Sequence, residues 1–311
     1  MRRVRQYSLL WICVLVAIPM LTATSDPTSH APSPAKFLTS GAQDFWPCFS
    51  PDGTHILFSR REGETWKLFV VPLSGGPPQL LTRVPLSVSA TRANWSVRTN
   101  SVAFTGTSQK GESRIWIING DGTNPRELVL NGLSDQMFYP SWFPSGEQIA
   151  AMDAQEMVIK RLDIHTGVVT TITDRNKVLT GMPSVSPNGA WIAFAGQEYH
   201  GQKYDQTQNI IWIADESGVA RPVEANPGQG RAPTWSPDGK RLAFESNRGS
   251  SVGLYAIFLI NRDGTGLTQI TDQDLNADHP VWSPDGSRLA FSARPSIRTK
   301  DRSIALTEVP Q

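Results

Sequence analysis

One pattern recurs six times along this chain, and a repeat of that length limits the fold before any single residue is considered. Its copies are Trp46-Pro-Cys-Phe-Ser-Pro-Asp-Gly53, Ala93-Asn-Trp-Ser-Val-Arg-Thr-Asn100, Tyr139-Pro-Ser-Trp-Phe-Pro-Ser-Gly146, Met182-Pro-Ser-Val-Ser-Pro-Asn-Gly189, Ala232-Pro-Thr-Trp-Ser-Pro-Asp-Gly239 and His279-Pro-Val-Trp-Ser-Pro-Asp-Gly286. The turn serine, or its equivalent, falls at positions 50, 96, 143, 186, 236 and 283, a period of 43–50 residues. Within each copy a short strand ends in an aromatic residue, as at Trp95, Trp142, Trp235 and Trp282. Ser-Pro-Asp-Gly then makes a tight turn, because Pro presets φ at its second position and Gly accepts the left-handed geometry that follows. A second strand such as Leu242-Ala-Phe244, a third such as Ile210-Ile-Trp-Ile213, another Gly turn and a short fourth strand complete the unit. These segments are rich in β-branched and aromatic residues and bounded by turn signals. Four-stranded units at this period predict radial blades: an all-β, six-bladed β-propeller with four-stranded antiparallel blades. The recurring Trp and Phe are expected to wedge neighbouring blades apart.

The chain ends predict how the ring closes. After the third strand of the last copy, Ser303-Ile-Ala-Leu306, too few residues remain for a fourth. Lys36-Phe-Leu-Thr39 resembles the Leu-Thr closing strand of other copies, so an N-terminal strand is expected on the last blade, which removes two exposed sheet edges. The propeller is therefore expected to occupy residues 36–311.

The marker Pro-x-Trp-Ser-Pro-Asp-Gly-x-x-Ile/Leu-Ala-Phe, at Pro233 to Phe244 and Pro280 to Phe291, occurs with Asn119-Gly-Asp-Gly-Thr123 and Asn261-Arg-Asp-Gly-Thr265. It resembles the propeller repeats of the TolB family of periplasmic proteins, over residues 36 to 309. The resemblance implies a protein-binding propeller of the cell envelope, with a peptidoglycan-associated lipoprotein as partner. In that family a separate α/β domain precedes the propeller. Here about a dozen residues separate the expected leader cleavage site from the first repeat strand, so that domain is expected to be absent. Propellers of this repeat class also accompany peptidase domains, for which there is no room.

The leader itself is read from the first residues. Arg2, Arg3 and Arg5 precede an apolar run from Leu9 to Met20, followed by small residues: the layout of a secretory signal peptide over residues 1–23, with 24–35 as a linker. The expected location is the periplasm or outside the cell, the alternative being a membrane anchor through residues 9–23. Once the leader is cut, Cys48 is the only cysteine, so no internal disulfide is expected. The full chain carries a net charge of +1, which falls to −2 without the three leader arginines. Neither value suits non-specific nucleic-acid binding, and no stable membrane span is expected after cleavage.

Candidate binding residues follow from the blade geometry. The turns joining first to second and third to fourth strands are short and uniform and share one face. The other connections vary in length and share the opposite face, where recognition is usually placed on a rigid scaffold. The longest, residues 196–209, offers Tyr199, His200, Lys203, Tyr204 and Asp205, whereas residues 153–156 do the same job with four. Asp44, Arg92, Gln136, Arg231 and Asp278, with His279, are expected near the channel mouth on that face, either as a site or as a mutually compensating ring. No catalytic residue, metal or cofactor is expected. His30, His55, His165, His200 and His279 lack metal-ligand spacing, although His200 and His279 share a face with Asp278. Gly249-Ser-Ser-Val-Gly253 matches a nucleophile motif formally, but no helix follows it, and the strained strand-to-helix turn is what that chemistry requires. The expected function is a non-catalytic binding scaffold acting through its variable-loop face. The alternatives are a hydrolase or lyase on a saccharide or peptide at the channel mouth, and a small-ligand or carbohydrate-binding propeller.

Overall fold

A computed structural model describes residues 34–81, 85, 87–223, 228–296 and 298–310. The expected leader, His30 and most of the linker lie outside the described residues. The described chain forms six four-stranded antiparallel sheets. Blade 1 comprises Asp44–Phe49, His55–Glu62, Thr65–Pro72 and Gln79–Leu80; blade 2, Val88–Trp95, Ser101–Ser108, Ser113–Asn119 and Arg126–Glu127. Blade 3 comprises Met137–Trp142, Gln148–Asp153, Val158–Asp163 and Val169–Thr171; blade 4, Val178–Val185, Trp191–Glu198, Ile210–Asp215 and Ala220–Pro222. Blade 5 comprises Gly230–Trp235, Arg241–Ser246, Ala256–Asn261 and Thr268–Gln269. Blade 6 takes Asp278–Trp282, Arg288–Ala293 and Ser303–Glu308, and its fourth strand is Lys36–Phe37 from the other end of the chain. Strands are lettered A to D outward in each blade.

Closure occurs where it was expected. Lys36 faces Leu306 and Phe37 faces Ala305. The Leu38 amide donates to the Ile304 carbonyl, and the Ile304 amide to Thr39 Oγ1.

The core lies between blades. Six buried apolar clusters occur among the described residues, one at each junction. The junction between blades 6 and 1 joins Phe49, Ile56, Phe58 and Val71 to Ala290, Ile304 and Leu306. The strand-A tryptophans are the expected wedges: Trp142 Nε1 donates to the Asn94 carbonyl of blade 2 and Trp235 Nε1 to the Ser184 carbonyl of blade 4. These two tie a blade to its predecessor by a hydrogen bond as well as by packing, whereas Trp95 Nε1 donates to Asn100 of its own blade. The strand-B phenylalanines, Phe58, Phe104, Phe194, Phe244 and Phe291, are wholly buried.

Two boundaries differ from expectation. Strand B of blade 4 runs on to Glu198 because Val178 in the long strand A pairs with it, which shortens the variable connection to residues 199–209. Strand C of blade 5, which the apolar run Leu254-Tyr-Ala-Ile-Phe258 predicts from Leu254, begins two residues later at Ala256. Leu254 and Tyr255 are diverted into loop contacts, their amides donating to Ser250 Oγ and Asn276 Oδ1.

Candidate functional site

Every strand A carries a register shift at the same place, between Phe45 and Cys48 in blade 1 and between Asp278 and Val281 in blade 6. Shifts at the equivalent points mark the other four blades. The bulged residue has positive φ in all six: Trp46, Arg92, Tyr139, Met182, Ala232 and His279, with φ from 47° to 55°. Non-glycine residues in this region cost on the order of 1 kcal/mol each. A bulge re-aims its side chain, and here all six bulged residues line one cavity of about 120 Å³ at the variable-loop end of the channel. In five of six blades a proline follows, Pro47, Pro140, Pro183, Pro233 or Pro280, which leaves no amide at the bulge in need of a partner. Below lies a shared ring of Cys48, Asn94, Ser141, Ser184, Thr234 and Val281, and beyond it a second cavity of about 360 Å³ at the uniform-turn end.

The mouth is lopsided. Trp46 Nε1 donates to His279 Nε2 at 2.9 Å. The Arg92 guanidinium carbon lies 4.7 Å from the Trp46 ring centroid and 4.5 Å from that of Tyr139. One arc thus runs His279, Trp46, Arg92, Tyr139 in contact. Met182 and Ala232 complete the circle with an apolar stretch.

Of the residues singled out from sequence, Arg92 and His279 line this cavity. Asp44 is wholly buried, holding Arg60 through two hydrogen bonds of 2.7 and 2.8 Å. Arg231 lies over the Tyr255 ring and 3.0 Å from Glu245, which is 1% exposed. Asp278 pairs with Arg302. Gln136 instead reaches back to the Gly111 carbonyl. In the long loop, Tyr199 and Tyr204 are half-buried while His200, Lys203 and Asp205 are exposed. Asn209 donates to the Tyr204 hydroxyl, and burial holds that phenol above its ordinary value. Asp205 caps a single 3₁₀ turn at Gln206–Gln208. His200 sits 3.6 Å from Glu198, its own loop's base.

The residues missed from sequence are Trp46, Tyr139, Met182 and Ala232 in the ring, and Glu245 and Arg302 behind it. The ring had a signal: its members stand just ahead of the repeat's proline, where copies differ in residue type. Glu245 and Arg302 had none: Glu245 faces Arg231 across the sheet of blade 5, and Arg302 meets Asp278 of its own blade, 24 residues away.

Glu245, Asp278 and His279 bring potential ligand atoms within 4.8 Å of one another. Burial pushes the Asp278 carboxyl up, but the His279 hydrogen bond and the Arg302 guanidinium more than reverse it and hold it ionised. With Arg231 on Glu245 and Arg302 on Asp278, two acids meet two fixed cations. The two guanidinium groups balance the two carboxylates, and Asp278 and Glu245 Oε2 already accept hydrogen bonds from Arg302 and the His279 amide. As a catalytic pair, Asp278 and His279 are similarly engaged. Indole Nε1 only donates, so His279 Nε2 accepts from Trp46, and Nδ1 carries the proton facing Asp278 Oδ1 at 3.1 Å. The lone pair that a general base would use is covered.

Comparison with known proteins agrees with this architecture. The PD40 family model, TolB beta propeller domain, matches residues 39–205, more than half of the chain. The chain belongs to this TolB β-propeller family. A Tol-Pal system protein TolB from Francisella tularensis subsp. mediasiatica is 30% identical over 197 residues, 61% of this chain and 43% of that protein. The alignment therefore spans less than half of that relative. Among solved structures, a candidate TolB from Agrobacterium tumefaciens superposes with TM-score 0.65 at 21% identity, covering 88% of this chain and 92% of that one. An oligogalacturonate lyase in complex with manganese superposes with TM-score 0.56 at 13% identity, covering 91% and 95%. At these identities the superpositions establish the fold alone.

Proposed function

We propose that this chain is a non-catalytic protein-binding scaffold, exported to the periplasm, that docks an envelope partner on its variable-loop face. A peptidoglycan-associated lipoprotein is the candidate partner. Membership of the TolB propeller family carries this reading, because curated relatives with which it aligns include a Tol-Pal system protein. The mouth supports it: six strained backbone positions aim side chains at one opening, while the one histidine–carboxylate pair there is tied to Trp46. Strain of this kind concentrates at recognition sites. Among the described residues no helix is long and apolar enough to cross a membrane.

Capture from an envelope extract tests the proposal. Purified protein should retain a discrete envelope protein, and replacing residues 199–209 by a four-residue turn like residues 154–157 should weaken that capture at least tenfold. No retained protein from extracts of the native cell would overturn the reading.

A further inference from the structure

Charges around the mouth pair off with one left over. Asp44 is matched to Arg60, Glu245 to Arg231, and Asp278 to Arg302. Arg92 lies in the same ring, yet among the described residues no carboxylate comes within 4 Å of it. Among the described residues its only hydrogen bond runs from Nη1 to Thr91 Oγ1 at 3.1 Å; its Nε, like those of Arg231 and Arg302, is buried without a hydrogen-bond acceptor. Arg92 as a whole is only half-buried and borders the cavity, so guanidinium N–H groups other than Nε are placed to meet an acceptor from outside.

The surroundings define that acceptor. Aromatic rings from the blades on either side, Trp46 of blade 1 and Tyr139 of blade 3, lie over the guanidinium. They stabilise the cation through their faces and limit where an acceptor can approach. The N–H groups that remain lie at the edge of the plane, and a fork of coplanar donors matches the two oxygens of a carboxylate. Three blades on, Ala232 occupies the facing ring position, with Met182 beside it, so an aliphatic stem would meet apolar surface. The cavity, about 120 Å³, is well below the roughly 300–1,000 Å³ of pockets that enclose whole small ligands. It has room for one side chain.

The geometry points to Arg92 as the anchor of a carboxylate pocket that takes a single acidic side chain, glutamate in preference to aspartate for its longer stem, from a partner polypeptide. The site deepens the scaffold reading and rests on it for its partner, but not for its chemistry. Titration with a blocked tripeptide, acetyl-Gly-Glu-Gly-amide, tests it directly, followed by the Arg92 Nε–H resonance and by calorimetry. The expected result is saturable binding that weakens with salt, at least tenfold weaker for the Gln tripeptide and for Arg92→Gln, and partly retained in Arg92→Lys. Thermal melting of Arg92→Gln checks that the fold persists.

Equal binding of the Glu and Gln tripeptides, or unchanged binding in a folded Arg92→Gln, would overturn the pocket. Galacturonate binding more tightly than the tripeptide would overturn the assigned occupant. If extract capture fails while the tripeptide titrates, the pocket stands and the scaffold reading falls; capture unaffected by Arg92→Gln, with no tripeptide binding, gives the reverse.

Discussion

Lys160 stands where four other blades put an aromatic ring. Strand B and strand C stack Phe58 on Phe69, Phe104 on Trp116, Phe194 on Trp212 and Phe244 on Phe258, with centroids 6.0–6.5 Å apart. In blade 3 the registered pair is Ala151 and Lys160. Lys160 is 4% exposed; its ammonium donates to Glu156 and to the Gly132 carbonyl, each at 2.9 Å, and forms an ion pair with Asp153 Oδ2 at 2.9 Å. Burial pushes the Asp153 carboxyl up, but Lys160 and Ser134 more than offset this and hold it below its ordinary value. Removing the cation leaves a buried carboxylate uncompensated, so Lys160→Met should cost about 3–5 kcal/mol in chemical denaturation. Adding Asp153→Asn, which keeps an acceptor for the Gln155 and Glu156 amides, should recover a large part of that loss. Equal stability of the single and double variants would count against this account.

At the scale of elements, the Ser-Pro-Asp-Gly turn shows how local chemistry sets a boundary and a pH response. Asp52 accepts from the Ser50 hydroxyl at 2.6 Å and from the Thr54 amide and hydroxyl, which holds its carboxyl down at about 2. Asp285 repeats the arrangement with Ser283 and Ser287, also at about 2. Both lie below the ordinary aspartate value of ~3.9. Their stabilisation is therefore full above that value and fades as pH falls through about 2. Melting temperature should drop between roughly pH 4 and pH 2, and Asp52→Asn with Asp285→Asn should flatten that drop while lowering stability at neutral pH. An unchanged slope would place the acid response elsewhere. The turns were legible in sequence because their chemistry spans four adjacent residues. Strand C of blade 5 was misplaced by two residues because Tyr255 answers to Gln229 and Asn276, over twenty residues away.

For the whole molecule, closure is the vulnerable step. Phe37 and Ala35 pack on the cluster between blades 5 and 6, and Leu38 on that between blades 6 and 1. Deleting residues 34–39 exposes the edge of Ser303–Glu308 and two junctions at once. A lower melting temperature and concentration-dependent self-association in size-exclusion chromatography are expected, since an unpaired strand templates pairing with another chain. A truncated chain that remains monomeric and equally stable would show that the ring does not depend on this strand.

Blade number, strand order and the site of closure were determined by the sequence alone, because turn residues and alternating apolar segments act over short range and recur six times. The mouth was decided only by the tertiary structure. Trp46 and His279, 233 residues apart, share a hydrogen bond there; Arg60, Arg231 and Arg302 each find an acid, while Arg92 lies between two rings. His279, Trp46, Arg92 and Tyr139 meet at the mouth from four different blades, and no spacing along the chain records which of them touch.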